Sequence, residues 1–243
     1  MSNRSNFYDF LSYIIPGSLA VLLLLFFIGS IFGTPGVLIS YVSGFGETIV
    51  FLIVGYFAGH LIQARGRQIE LKEKDEWGGY FSIQFLRESN DFYTADFKGT
   101  LKRNAESEFG LPVDIADNSV TQEQKDKRHQ EIFNLCYDFV VQKGISRSPD
   151  IHNGIYGMFR GAMVVWEIGI TLALVTTVRH AAFLGYHFYS MGVSYHEPET
   201  TQLIIAVVLM AFFLGTKRFL KARFKHFGQR FVDSVFRNFL TFH

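Results

Sequence analysis

The sequence predicts an all-α integral membrane protein with four transmembrane helices, a helical insert between spans two and three, and a basic amphipathic helix at the C-terminus. Three observations predict it. Four apolar segments approach the roughly 20 residues that a helix needs to cross about 30 Å of hydrocarbon. The chain of 243 residues is 49% hydrophobic, with 27 Phe and only 5 Pro. Its 23 Lys and Arg are also unevenly spread: Arg4 precedes the first apolar segment, thirteen fall from Arg65 to Arg147, seven follow residue 216, and only Arg160 and Arg179 remain.

Span one covers about 10–32 and carries no charge through LAVLLLLFFIGSIF. It is longer than the apolar core of a signal peptide and no small-residue cleavage site follows, so it reads as an uncleaved anchor. Pro16 removes one helix hydrogen bond early in this span, which predicts a kink or a short pre-helix. Span two covers about 48–64, span three about 160–178 and span four about 202–216. The last is short and is expected to extend into its flanks. Gly55 with Gly59, and Gly157 with Gly161, are small-xxx-small pairs that allow close backbone approach. They predict tight packing of span two on span three.

Orientation follows from Lys and Arg in the short connections. The stretch 33–47 has none and 179–201 has one, whereas the stretch 65–155 and the tail are rich in them. Both termini are therefore expected in the cytoplasm of a bacterial cell, with the chain in its inner membrane. The domains read as 1–64 (spans one and two), 65–155 (cytoplasmic helical domain), 156–216 (spans three and four) and 217–243 (basic amphipathic helix).

The insert holds 13 basic and 16 acidic residues, a composition able to fold. Span two is expected to continue as an exposed charged helix through QARGRQIELKEKDE. Thr94 can cap a helix carrying Phe97, Leu101, Ala105 and Phe109, which Gly110 and Pro112 stop. Thr121 with Gln124 forms a capping box for a helix through Ile132, Phe133, Cys136, Phe139 and Val140, ending at Lys143-Gly144. The aromatic stretch 77–92 carries no clear period. The single cysteine, Cys136, excludes an intrachain disulfide and reads as a buried thiol. In the tail, Phe224, Phe227, Phe231 and Val235 form one stripe. Seven bases against Asp233 give the stretch after residue 216 a charge of +6. This stripe suits a lipid surface or packing within the chain. Packing onto the insert would leave the basic face for a polyanion.

Phosphate-binding, nucleophile-elbow, zinc-protease and C-x-x-C motifs are all missing, so no enzyme chemistry, metal or cofactor is called for. His187 and His196 share a connection but have no third ligand nearby in sequence. Intramembrane polarity is the candidate site. A charge inside a span is costly and normally faces protein or water. Glu167 lies about 10 Å along the helix from Arg160, on the same face, and Thr171 continues the stripe. Depth places Tyr56 level with Glu167, and His60 and Gln63 level with Arg160. This set reads either as a pore-lining seam or as a Glu167–Tyr56 hydrogen bond that fixes packing. Arg65, Arg67, Lys217, Arg218 and Lys221, with Arg223, Lys225 and Arg230 in the tail, read as membrane anchoring, as lipid contacts, or as an anion or nucleotide site.

Four short spans, an intramembrane acid and a cytoplasmic helical domain resemble the small membrane effectors of bacterial antiphage systems of the CBASS-like, Hailong and Kiwa types. The segments YDFLSYIIPG, GYFAGHLIQ and IYGMFRG also resemble a recurrent bacterial family that brings no function with it. The resemblance is architectural and carries over no site residue. It implies a homo-oligomer whose cytoplasmic domain senses a nucleotide, an oligonucleotide or a protein partner, and whose spans open to depolarise the membrane. The residues alone also suit a non-conducting membrane sensor, adaptor or scaffold.

Overall fold

The structure, a computed structural model, describes residues 8, 10–32, 44–112, 120–191 and 197–242. Every regular element among them is helical. A π-helical turn at Phe10–Ile14 leads into α1 (Ile15–Ile31). There follow α2 (Phe45–Trp77), α3 (Phe81–Gln84), α4 (Ala95–Phe109), α5 (Gln122–Gln142), α6 (Arg147–Met191) and α7 (Glu197–Phe242). Four helices, α1 with its π turn, α2, α6 and α7, are long and apolar enough to cross a membrane. Spans three and four are segments of much longer helices than the sequence suggests. The basic C-terminal stretch is not a separate helix either. No proline or other break interrupts α7 between Thr216 and Lys217, so its backbone hydrogen bonding continues.

The chain divides into two compact units. Among the described residues, one comprises Tyr8–Ile69 and Gly157–Phe224, the other Glu70–Tyr156 and the stretch from Lys225 to the end of α7.

The first unit contains all four spans. Ala20, Ile62, Ile69, Met163, Val164 and Val165 form its core, with Leu23, Ile168 and Leu220 packed against them. Its outer surface is apolar, with Leu52, Ile53, Phe57, Leu61, Val175, Ile204, Val208 and Phe212 all exposed. Such a surface suits hydrocarbon rather than water. Both glycine pairs receive span one, and Gly161 also meets Gln63 of span two. A methyl group on Gly55 or Gly59 would run into Ser18 or Tyr13. One on Gly157 or Gly161 would run into Ser12 or Pro16. Spans three and four meet where the ring of Phe213 lies against Gly169 and the Trp166 indole donates to the Phe213 carbonyl.

The second unit is a helical assembly with its own core. Phe85, Leu101, Ile132, Cys136, Val140, Val235, Phe236 and Phe239 are all buried to 1% exposure or less. The helix boundaries follow the local signals. Thr94 accepts a hydrogen bond from the Phe97 amide, and Gly110 closes α4 at φ 65°, a left-handed conformation that glycine adopts without strain. Thr121 and Gln124 form a complete capping box on α5. The stretch 77–92 turns through Gly78 and Gly79, and the buried ammonium of Lys98 donates to the carbonyls of Arg87 and Asn90, which holds the rest of that turn. In the tail, Val235 lies inside this core and Phe231 packs on it. Val232, Phe236 and Phe239 join them, so this part of the tail packs within the unit, whereas Phe224 of the same stripe is buried in the first unit.

Arg87 fastens α5 to this turn by donating to both carboxylate oxygens of Asp126, at 3.1 and 2.5 Å. Burial alone would raise the Asp126 pKa. The hydrogen bonds from Arg87 and Gln122, with the nearby charges of Arg87 and His129, outweigh it and hold the carboxyl below the usual range. The folded pKa is depressed, so the pair stabilises the fold above the unfolded carboxylate pKa of about 4. That contribution disappears as pH falls through the lower folded value. Thermal melts of the detergent-solubilised protein should therefore lose stability below about pH 4. Asp126→Asn should be less stable at neutral pH and should lose less on acidification. Parallel pH profiles for the two proteins would contradict this role.

Candidate functional site

The polar residues that the sequence singles out in the spans fall into three groups. The first is buried and centres on Gln63, which is 4% exposed. Its side-chain amide donates to the carbonyl of Ser12 and, at 2.8 Å, to that of Gly157. Its oxygen accepts from Arg160 Nε, also at 2.8 Å. One amide thus ties spans one, two and three together. The Ser12 carbonyl has a particular need for it. In an α-helix that oxygen would receive the N–H of residue 16, and Pro16 has none to offer. The glutamine amide supplies the missing donor. Gly66 leaves the room in which the Arg160 side chain lies.

The second group is an ion pair. Arg65 Nε and Nη2 both approach Glu167 Oε2, at 3.3 and 3.1 Å. Arg65 Nη1 also donates to Gln68. The Glu167 side chain is 41% exposed and that of Arg65 48%. Thr171 donates to the main-chain carbonyl of Glu167 at 2.8 Å, so its hydroxyl is satisfied within its own helix. One of the two sequence readings paired Glu167 with Tyr56 by depth, whereas the carboxylate is bonded by Arg65. Comparing Cα levels ignores the reach of an arginine, whose long side chain can lie back along its helix to meet a carboxylate.

Tyr56 and His60 make up the third group, an aromatic cluster with span one. The His60 ring is 4.4 Å from that of Tyr13 and 4.7 Å from that of Tyr56. The polar set is therefore three separate arrangements, of which the Arg65–Glu167 pair is the one that joins opposite charges among the contacts of the described residues.

The basic residues are dispersed. Arg67, Arg218 and Lys225 are exposed. The Lys217 ammonium lies over the Trp166 ring at 5.0 Å, and Arg223 over Phe219 at 5.2 Å. Both are cation–π contacts within the chain. Lys221 is partly buried. Arg230 approaches Asp233 at 4.0 Å. No pair of these side chains converges on a common point in the contacts among the described residues. The His187 side chain and the whole of His196 lie outside those residues.

Sequence reading missed a polar cluster joining α6 to α7. His180, 1% exposed, bonds the Glu199 carboxylate through Nδ1, and Arg179 lies 4.0 Å from the same carboxylate. Ser30 donates to Gln202 at 2.6 Å nearby in the chain. A signal was present in Thr176 and His180, which are spaced four residues apart on the face that also carries the buried Ala173.

Comparison with family models, with curated proteins and with solved structures gives no match to this chain.

Proposed function

We propose that this protein is the subunit of an oligomeric channel in a bacterial inner membrane, with both termini cytoplasmic. Its helical unit would gate the channel in response to a nucleotide, an oligonucleotide or a protein partner, as an effector of antiphage defence would. The observation that carries this reading is the Arg65–Glu167 pair, whose side chains are nearly half exposed on a unit whose spans also expose Leu, Ile, Val and Phe. Such charges are costly against hydrocarbon. Water, or the same face of further copies, would remove that cost, and copies arranged around this face would enclose a polar path. The non-conducting alternative, a membrane sensor, adaptor or scaffold, draws support from Gln63, whose bonds from span two to the helices of spans one and three resist opening.

A potential-sensitive dye in cells overproducing the protein separates the two. Wild type should depolarise the membrane. Glu167→Gln should change the extent or ion dependence of that effect, and Arg65→Glu with Glu167→Arg should restore it relative to either single change. An unchanged potential in all of these strains, together with a monomer in chemical cross-linking, would discard the channel in favour of the scaffold.

A further inference from the structure

The second unit contains a cavity of about 370 Å³, within the size range of small-molecule sites. All of its lining residues lie in that unit, and none belongs to the polar groups described above. Five aromatic rings line it: Tyr80, Phe81, Phe133, Tyr156 and Phe231. Gly228 lets two of them close in, since a methyl group there would stand 2.9 Å from the Tyr156 ring and 3.0 Å from that of Phe81. Among the described residues that line the cavity, Glu70 is the one ionised at neutral pH. Its carboxylate is already engaged, because the Tyr156 hydroxyl donates to it at 2.7 Å. A base stands close as well: the Lys74 ammonium lies 4.4 Å from the centroid of the Tyr80 ring without itself lining the cavity.

These features favour a ligand without charge. An anion would be brought against Glu70 with no lining base to receive it. A cation would find Lys74 already over the Tyr80 ring and would compete for a carboxylate that has a partner. An unpaired charge among apolar walls is costly, and a neutral molecule avoids that cost. The five rings favour an aromatic ligand over a saturated one of the same size, because offset-stacked and edge-to-face contacts add to burial. One part of the wall is polar. Ser82, 5% exposed, donates to Gln130 Oε1 at 2.7 Å, and Gln130 Nε2 gives one of its two hydrogens to Asn134 at 3.0 Å. The Ser82 oxygen keeps its lone pairs and the amide keeps a second N–H, so this wall offers an acceptor and a donor. A lactam, with its N–H beside its C=O, presents the complementary pair. We propose that this cavity binds an uncharged planar aromatic ring with a lactam edge, its faces against the aromatic walls and its edge on Ser82 and Gln130. The proposal goes beyond the channel reading and does not rest on it.

The test measures binding, not conductance, by equilibrium dialysis of the full chain in dodecyl maltoside, with uptake by protein-free micelles subtracted. The probe is 2-quinolone, a planar neutral lactam. Its comparators are octahydro-2-quinolone, which keeps the lactam but not the aromatic ring, naphthalene, which has no polar edge, and the charged analogues 1-methylquinolinium and quinoline-2-carboxylate. The probe should bind saturably, about ten-fold more tightly than the octahydro compound, and more tightly than naphthalene or either ion. Phe231→Leu should weaken 2-quinolone severalfold. Gln130→Met should weaken 2-quinolone severalfold but not naphthalene. Uridine and inosine carry the same lactam edge and distinguish the sources of the ring. Displacement of 2-quinolone by either nucleoside assigns it to a nucleobase, and displacement by neither assigns it to a free ring compound. No saturable binding of 2-quinolone, equal affinity for its octahydro analogue, tighter binding of either ion, or a Gln130→Met protein with unchanged 2-quinolone affinity would each overturn the proposal. If the variants fail to fold, the wild-type series of five compounds still decides.

Discussion

Gly17→Ala should eliminate the monodisperse, folded protein from detergent extracts. A methyl group at that position would sit 1.8 Å from the Gly55 carbonyl oxygen and 2.6 Å from the Gly59 nitrogen. Both are backbone atoms of α2, so no rotamer change can relieve the clash and the two helices must separate. Overpacking in a close-packed interior typically costs about 1–3 kcal/mol, and more where nothing can yield. Gly59→Ala should behave similarly, because its methyl would lie 2.2 Å from the Tyr13 carbonyl oxygen. Gly55→Ala should be milder, since its nearest neighbour is the Ser18 hydroxyl, which can rotate away. Gly46 and Gly185 have open space around them, so alanine there should leave the protein unchanged. Size-exclusion profiles after a temperature series would order the five variants. A Gly17→Ala protein that survives heating as well as wild type would refute the close contact between span one and span two.

The second large effect should come from Phe236→Ala. Phe236 has no exposed surface and packs edge-on against Phe133, with ring centroids 5.7 Å apart. It joins the end of α7 to α5 and, through Tyr93, to the turn before α4. Truncating a buried phenylalanine removes its burial energy and leaves a cavity, together about 3–5 kcal/mol. The matched control is Phe212→Ala. Phe212 is 60% exposed on a span, where lipid tails are as apolar as the side chain they would replace. Limited proteolysis of the full chain should therefore show rapid cutting between residues 70 and 156 in Phe236→Ala and a wild-type pattern in Phe212→Ala. Equal resistance in all three proteins would mean that the tail does not stabilise the second unit.

What was legible in the sequence is what is decided locally. Thr94, Gly110, and Thr121 with Gln124 set helix ends through bonds spanning three or four residues, and the structure has those ends. The spans were legible because apolar length is a property of one segment. The helices holding spans three and four were underestimated because polar flanks do not stop a helix, and nothing in 147–159 or 217–242 breaks the backbone pattern. Choice of partner was the least legible. The glycine pairs announced close approach but carried no label for the helix that would arrive, and it was span one. Glu167 announced the need for a counter-charge. Its position along the helix suggested Tyr56, whereas the reach of Arg65 decided the pairing. His180 looked like one of eight scattered histidines because its partner Glu199 begins the next helix.

The borrowed donor at Ser12 bears on biogenesis. As span one leaves the translocon its Ser12 carbonyl lacks the i+4 donor of a regular α-helix, since position 16 is proline. Its amide partner is Gln63, on the helix synthesised next, and Gln63 in turn is completed by Gly157 and Arg160, on a helix made about a hundred residues later. Before the second helix is made, water or headgroups would have to serve that carbonyl, and the Gln63 amide would take over only once its helix is in place. A chain truncated before residue 157 would keep Gln63 but lack its partners Gly157 and Arg160, leaving a buried amide half satisfied.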